Sequence, residues 1–142
     1  MSNRTAIRRQ WRAHKLIWRI SGGRLGTRVV GMPVLELVTT GHKTGKPRSI
    51  LITYVDDPAG PVVFGTNAGL DIDPSWVKNL RATPEARIRI KGVWTSCIAV
   101  AIETKDDRDR FWNAAVAANP GYSDYLKALT RSVPIVQLRS NS

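Results

Sequence analysis

The chain has 142 residues, 42% hydrophobic and 23% charged, with 22 Lys and Arg against 11 Asp and Glu for a formal charge of +11. That length supports one domain burying about two-thirds of its unfolded surface, and the charge suits anionic partners such as nucleic acid, anionic lipid or a phosphorylated small molecule. One cysteine excludes an internal disulfide, two histidines leave too few soft ligands for a structural zinc, and no apolar run reaches the ~18 residues of a membrane span.

The charge is uneven. Residues 1–31 hold eight basic side chains, Arg4, Arg8, Arg9, Arg12, Lys15, Arg19, Arg24 and Arg28, and no acid; the rest of the chain carries 14 basic and 11 acidic residues. On a helix over 7–20, Ile7, Trp11, His14, Ile17 and Trp18 share one side and Arg8, Arg12, Lys15 and Arg19 the other. Such a helix suits either an anionic membrane surface, the inner face of the cell membrane for a cytoplasmic protein, or docking of its Trp face on the protein's own core. It lacks the apolar region of a secretory signal. With Ser21, Gly22, Gly23 and Gly26 as a hinge, the expected organisation is a leader over 1–31 and a domain over 32–142.

From residue 33 the period changes to two. Leu35–Val38 reads as a first strand, Gly41–Pro47 as a turn, and Ser49–Val55 as a second strand stopped by Asp56, Asp57, Pro58, Ala59 and Gly60. Val62–Phe64 gives a third. Asp73 followed by Pro74 predicts an N-cap and a helix with Trp76, Val77 and Leu80 on its inner face, ending before Pro84. Arg87, Arg89 and Lys91 alternate with Ala86, Ile88 and Ile90 as in a strand with one wet face, and Lys91-Gly92 connects it tightly to a strand over Val93–Ile102. Thr104 and Asp107 open a helix carrying Phe111, Trp112, Ala115 and Val116 inward. A short helix over Ser123–Thr130 and a strand over Pro134–Leu138 close the chain. Short strands with local turns and few helices predict an α+β fold, an antiparallel barrel with helices packed outside.

No Gly-x-Gly-x-x-Gly or Gly-x-Ser-x-Gly occurs, and Asp71 with Asp73 reads as loop and cap rather than a metal pair. The stretch Gly41-His42-Lys43-Thr44-Gly45-Lys46-Pro47 is one residue short of a P-loop and has Pro47 where the magnesium-binding hydroxyl would stand. It still sets cations between two glycines, which let backbone N–H groups approach an oxyanion while Lys43 and Arg48 pair with it. A solvated hairpin with ordinary charges is the plainer reading of that turn in isolation.

Four ordered blocks bear on the choice: Thr40 to Arg48; Phe64 to Gly69; Asp73-Pro74-Ser75-Trp76-Val77-Lys78-Asn79-Leu80 with Pro84 beyond; and Pro120-Gly121-Tyr122-Ser123-Asp124-Tyr125 with Pro134-Ile135-Val136. In them the chain resembles the deazaflavin (coenzyme F420)-dependent nitroreductase and quinone reductase family, from about Leu35 to Val136. The resemblance implies a split β-barrel that binds coenzyme F420 in a cationic groove. It implies that His42, Lys43, Thr44 and Arg48 hold the phosphate and acidic tail, with the strand from Arg48 to Thr53, Ser49 and Thr53 included, along the ring system. Phe64, Gly65, Thr66 and Asn67, with Ser75, Trp76, Val77, Lys78 and Asn79, would line the rest. Tyr122 and Tyr125 would close over ring and substrate as the catalytic residues. The expected reaction is hydride transfer from the reduced coenzyme to a quinone, enone or nitroaromatic, with no metal. Asn67 and Asn119 depart from the family pattern, where some members have a basic residue and a tyrosine. Two alternatives stand beside this reading: a split barrel holding flavin mononucleotide or haem, and a basic barrel binding single-stranded nucleic acid, the latter disfavoured because Trp76, Phe111 and Trp112 sit at core spacing.

Overall fold

The computed structural model describes residues 28–29, 32–67, 72–120 and 132–141. The expected leader helix over 7–20, its hinge and the expected helix over 123–130 lie outside the described residues. Within them are strands β1 (Arg28–Val29), β2 (Met32–Thr40), β3 (Pro47–Thr53), β4 (Val62–Phe64), β5 (Glu85–Ile90), β6 (Val93–Ala101) and β7 (Ile135–Ser140). Two helices interrupt them, α1 (Ser75–Ala82) and α2 (Lys105–Ala118).

Every pairing is antiparallel, in the order β3-β2-β5-β6-β7-β4, with β1 also on β2. Among the described residues the ring returns to its start only through a bridge between Val55 and Val62, whose N–H groups donate to each other's carbonyls at 2.9 and 2.8 Å. One bridge in place of a ladder leaves β3 and β4 parted along most of their length, which makes this a split antiparallel barrel.

Register explains which side chains go inside, because residues opposite one another across a ladder share a face. Leu37 faces Ile50 and Ile88, Ala86 faces Cys97, and Ala99 faces Leu138. With Leu35, Val63 and Val136 they fill the interior, and Trp76, Val77 and Leu80 of α1 plug it. The outer faces of β4 and β7 form a second core: Val62, Phe64 and Ile135 lie under Phe111 and Ala115 of α2, and Phe64 meets Trp112 edge-on at 5.8 Å. Side chains of this size contribute about 1.5–3 kcal/mol each when fully buried, so both helices are held by apolar area.

The β5–β6 connection is the two-residue one expected, with φ of 49° at Lys91 and 83° at Gly92. Thr104 caps α2, its hydroxyl accepting from the Asp107 N–H at 3.4 Å, with Asp106 and Asp107 at the positive end of the helix. Two expectations shift. The β2–β3 ladder runs on through Thr40 opposite Pro47, so both strands reach the turn. Asp73 is not the cap of α1: Pro74 occupies the N-cap position, one residue later, and the Asp73 carboxylate instead pairs with Arg81 at 2.9 Å.

Candidate functional site

The turn between β2 and β3 is closed by its own backbone. The Gly41 N–H donates to the Lys46 carbonyl and the Gly45 N–H to the Gly41 carbonyl, both at 2.8 Å, and the Thr44 hydroxyl accepts from the Lys46 N–H at 3.2 Å. A Cβ on Gly41 would lie 2.7 Å from the Thr44 hydroxyl oxygen, and Gly45 has φ of +69°, a left-handed geometry costly to other residues. The result is a narrow turn that presents His42, Lys43, Lys46 and Arg48 to solvent. Elsewhere arginines meet carboxylates: Arg81 with Asp73, Arg89 with Glu36, Arg110 with Asp57. None of Lys43, Lys46 and Arg48 has an ion-pair partner among the described residues.

Asn79 joins this turn to α1. It is 3% exposed, and its Oδ1 accepts from the His42 backbone N–H at 2.9 Å and lies 2.6 Å from the His42 Nδ1. Its Nδ2 donates to the Thr39 hydroxyl at 3.0 Å. Two residues before Asn79 on α1, Val77 packs on Gly65, whose N–H donates to the Pro134 carbonyl at 2.8 Å. Three of the four blocks thus meet at α1. Of the fourth, Pro120 and Pro134-Ile135-Val136 are described, and Tyr122 and Tyr125 lie outside the described residues.

The residues singled out in the sequence are not equivalent. His42, Lys43, Thr44 and Arg48 are exposed together on the turn, and Ser75 and Lys78 are exposed on α1. Thr66 is buried, and Asn67 turns the chain after β4 with φ of +49° while its Nδ2 donates to the Ile72 carbonyl at 3.1 Å. Phe64, Trp76 and Val77 have their side chains in the two cores. Ser49 and Thr53 alternate with Arg48 and so stand on the opposite, outer face of β3, where the Ser49 hydroxyl donates to Glu36 Oε2 at 2.6 Å. Sharing the face of Arg48 are Ile50 and Ile52, half-buried against the interior core. Both lie within the strand expected along the ring system, and counting by twos from Arg48 puts them on its face.

The edge of β3 that faces away from β2 adds polar groups. The Tyr54 N–H donates to the Pro33 carbonyl at 3.0 Å, so in the antiparallel pattern Arg48, Ile50 and Ile52 turn their backbone groups to β2 while Ser49 and Leu51 turn theirs outward. The one cysteine, Cys97, lies inside the barrel and lines a cavity of about 300 Å³ with Thr39, Thr40 and Gly45. Burial pushes its thiol up to about 11, which keeps it neutral and a poor nucleophile. Among the described residues no group of His, Cys, Asp and Glu could hold a metal, and no helix is long and apolar enough to cross a membrane.

A split barrel with a cationic glycine turn, free of carboxylate partners among the described residues, beside an apolar strand face suits a flat, anionic cofactor. The profile of the F420H(2)-dependent quinone reductase family matches residues 10–140, and the chain belongs to that family. It is 32% identical over 130 residues to an F420H(2)-dependent quinone reductase of Mycobacterium tuberculosis (strain ATCC 25618 / H37Rv), covering 89% of this chain and 87% of that one. Among solved structures, an F420-H2 dependent reductase, FDR-A, superposes with a TM-score of 0.68 at 26% identity over 75% of this chain and 94% of the other. A chain described as a domain-swapped dimer superposes at 0.70 over 97% of this chain and 100% of its own; at 24% identity that likeness shows the fold alone. The protein is accordingly a reductase that depends on reduced coenzyme F420. The residues present fit such a coenzyme: a deazaflavin carrying phosphate and carboxylates needs fixed cations and an apolar wall, and the Gly41–Arg48 turn and the Ile50–Ile52 face offer both.

Proposed function

We propose that this protein reduces a quinone-type electrophile with coenzyme F420 bound against β3, and that the turn carries the binding. The observation behind this reading is that Lys43, Lys46 and Arg48 stand together, exposed and without carboxylate partners among the described residues, on a turn that Asn79 fastens to α1. Lys43 and Arg48 hold the phosphate, Arg48 with two parallel N–H groups, and His42 and Thr44 complete the contact. Ile50 and Ile52 form the floor under the ring. The outward backbone groups of Ser49 and Leu51 are within the same strand edge and serve the polar rim of a heterocycle. Ser49 and Thr53 contribute through the backbone, not the side chain, and so do Phe64 and Gly65.

When bound and reduced, the coenzyme supplies a hydride, a two-electron donor that needs no metal and no thiol pair. The chain's part is then position and proton supply. A quinone that accepts a hydride at one end must gain a proton at an oxygen to become a hydroquinone. Tyr122 and Tyr125 are the proposed groups for closing the pocket and giving that proton. For Tyr122→Phe, kcat falls while the coenzyme Kd stays near the wild-type value; unchanged kcat removes Tyr122 from the role. Enone and nitroaromatic substrates belong to the same hydride chemistry and are the next to assay.

The deciding experiment adds coenzyme F420 and flavin mononucleotide separately to the purified full chain. Saturable F420 binding that weakens with salt supports the reading, because exposed cations are screened. Flavin mononucleotide binding without F420 binding favours the alternative cofactor, and oligonucleotide binding alone favours the nucleic-acid barrel. The leader is proposed to touch an anionic membrane surface: Arg8→Glu with Arg12→Glu lowers sedimentation with anionic vesicles and leaves F420 binding intact, whereas equal sedimentation refutes the role.

A further inference from the structure

We infer that Asn79 is a positioning residue that sets the hydrogen-bonding state of His42, and that His42 takes up a proton as the anionic part of the coenzyme binds; the second half rests on the coenzyme reading above. The backbone N–H of His42 can only donate, so the Asn79 atom 2.9 Å away is an acceptor, its carbonyl oxygen Oδ1. The same oxygen lies 2.6 Å from His42 Nδ1, and an amide oxygen has no hydrogen to give. Nδ1 must therefore carry the ring hydrogen. The Nδ2 bond to Thr39, whose side chain is 2% exposed, holds the amide in this orientation. In neutral His42 the remaining ring nitrogen, Nε2 on the far edge of the imidazole, is then a lone-pair acceptor.

That arrangement has a chemical consequence. A lone pair repels an incoming phosphate or carboxylate oxygen, and a proton on Nε2 turns it into a charged donor without disturbing the bond to Asn79. The turn itself carries Lys43, Lys46 and Arg48; on α1, Lys78 precedes Asn79 in the chain and Arg81, two residues beyond Asn79, is paired with Asp73; β2 supplies the uncharged Thr39 and Thr40. From β5, Glu85 and Arg87 line the cavity that also meets Thr40 and Gly45. An arriving anion offsets the surrounding cations and gives the second ring N–H its acceptor, so the proton and the coenzyme arrive together.

Two measurements test this on the full chain. Calorimetric titration with coenzyme F420 near neutral pH, in two buffers of different ionisation enthalpy, shows proton uptake in the wild type, and Kd rises by up to about tenfold per pH unit on the alkaline side, the slope of one linked proton. His42→Gln binds more weakly, with no uptake and a flat profile. Nitrogen-15 spectra of the free protein show His42 protonated at Nδ1; Asn79→Leu loses that bias and Asn79→Asp, which keeps an acceptor, restores it. Binding without proton uptake, or uptake that persists in His42→Gln, overturns the linkage, and Nε2–H in the free wild type overturns the role of Asn79. Failure of the wild type to bind F420 at any pH overturns the coenzyme reading and the linkage together, while the nitrogen spectra still judge Asn79.

Discussion

Glu36 sits at the centre of the outer face of β2, and its removal offers a measure of how β3 is held. Its Oε1 accepts from Arg89 Nε at 3.1 Å and Nη2 at 2.8 Å, and its Oε2 accepts from the Ser49 hydroxyl at 2.6 Å, so one carboxylate bridges β5 to β3 across β2. Both ionic side chains are largely covered, 19% exposed for Arg89 and 15% for Glu36. Stranding one partner of a fully buried pair costs about 3–5 kcal/mol. Here the partial exposure and the Trp94 ring 4.9 Å from the Arg89 guanidinium soften the loss, so Glu36→Ala is expected to cost about 2–3 kcal/mol. In urea that is a fall in midpoint of about 1–2 M. Arg89→Ala alone strands Glu36 in the same way, and the double variant relieves both, so its cost falls short of the summed singles by at least about 1 kcal/mol. Strictly additive singles, or a Glu36→Ala cost under about 0.5 kcal/mol, would mean that solvent already screens the pair and that the ladder alone holds β3.

Asp57 gives a pH signature. Its carboxylate accepts from the Ala59 N–H at 3.1 Å, from Gln137 Nε2 at 2.8 Å and from Arg110 at 3.2 Å, and the Ala59 bond, then those of Gln137 and Arg110, hold its pKa below the ordinary 3.8 against the opposing effect of burial. A depressed carboxylate stabilises fully above its unfolded pKa and loses that contribution as pH falls through the folded value, so wild type and Asp57→Asn differ in urea midpoint at pH 7 and converge well below pH 3.8. A gap that stays constant with pH refutes the charge's role. Gly45→Ala places a side chain in open space at φ of +69°, so its whole cost, about 1–2 kcal/mol, is backbone; thermal denaturation that shows none refutes the turn geometry. Cys97, neutral and buried, is expected to resist iodoacetamide in the folded protein and react once urea unfolds it, and equal rates in both states refute its burial.

The barrel was legible because its strands alternate: Arg87, Ile88, Arg89 and Ile90 state their own faces, and Val62–Phe64 is apolar throughout because one side meets the interior and the other meets α2. The turn was legible as a string of cations and glycines. What periodicity could not give was the partner of a polar residue far along the chain. Asn79 sits 37 residues from His42 and 40 from Thr39, and in a helix of alternating polarity it looks like any exposed amide. Only the closeness of α1 to the end of β2 makes it buried and committed. Ser49 is the mirror case: its place along the strand expected beside the ring is plain in the sequence, but not that its parity sets the hydroxyl on Glu36 and leaves only its backbone for that edge.

This also locates the useful charge. A formal +11 over 142 residues invites a reading as diffuse attraction to any polyanion. Within the described barrel, however, much of the positive charge is already spent: Arg89 on Glu36, Arg110 on Asp57, Arg81 on Asp73, Lys105 on Asp109, and Arg87 over the Trp94 ring at 4.7 Å. A cation already paired with a carboxylate has less attraction left to offer a ligand. The turn differs because its fixed geometry comes from backbone bonds and from Asn79, neither of which neutralises a charge. Rigid and uncompensated cations hold an anion without first breaking an ion pair or ordering a loop, and both savings raise affinity. On the proposal that the turn holds the coenzyme, preference for a phosphorylated ligand over bulk polyanions rests on those few turn charges and not on the sum.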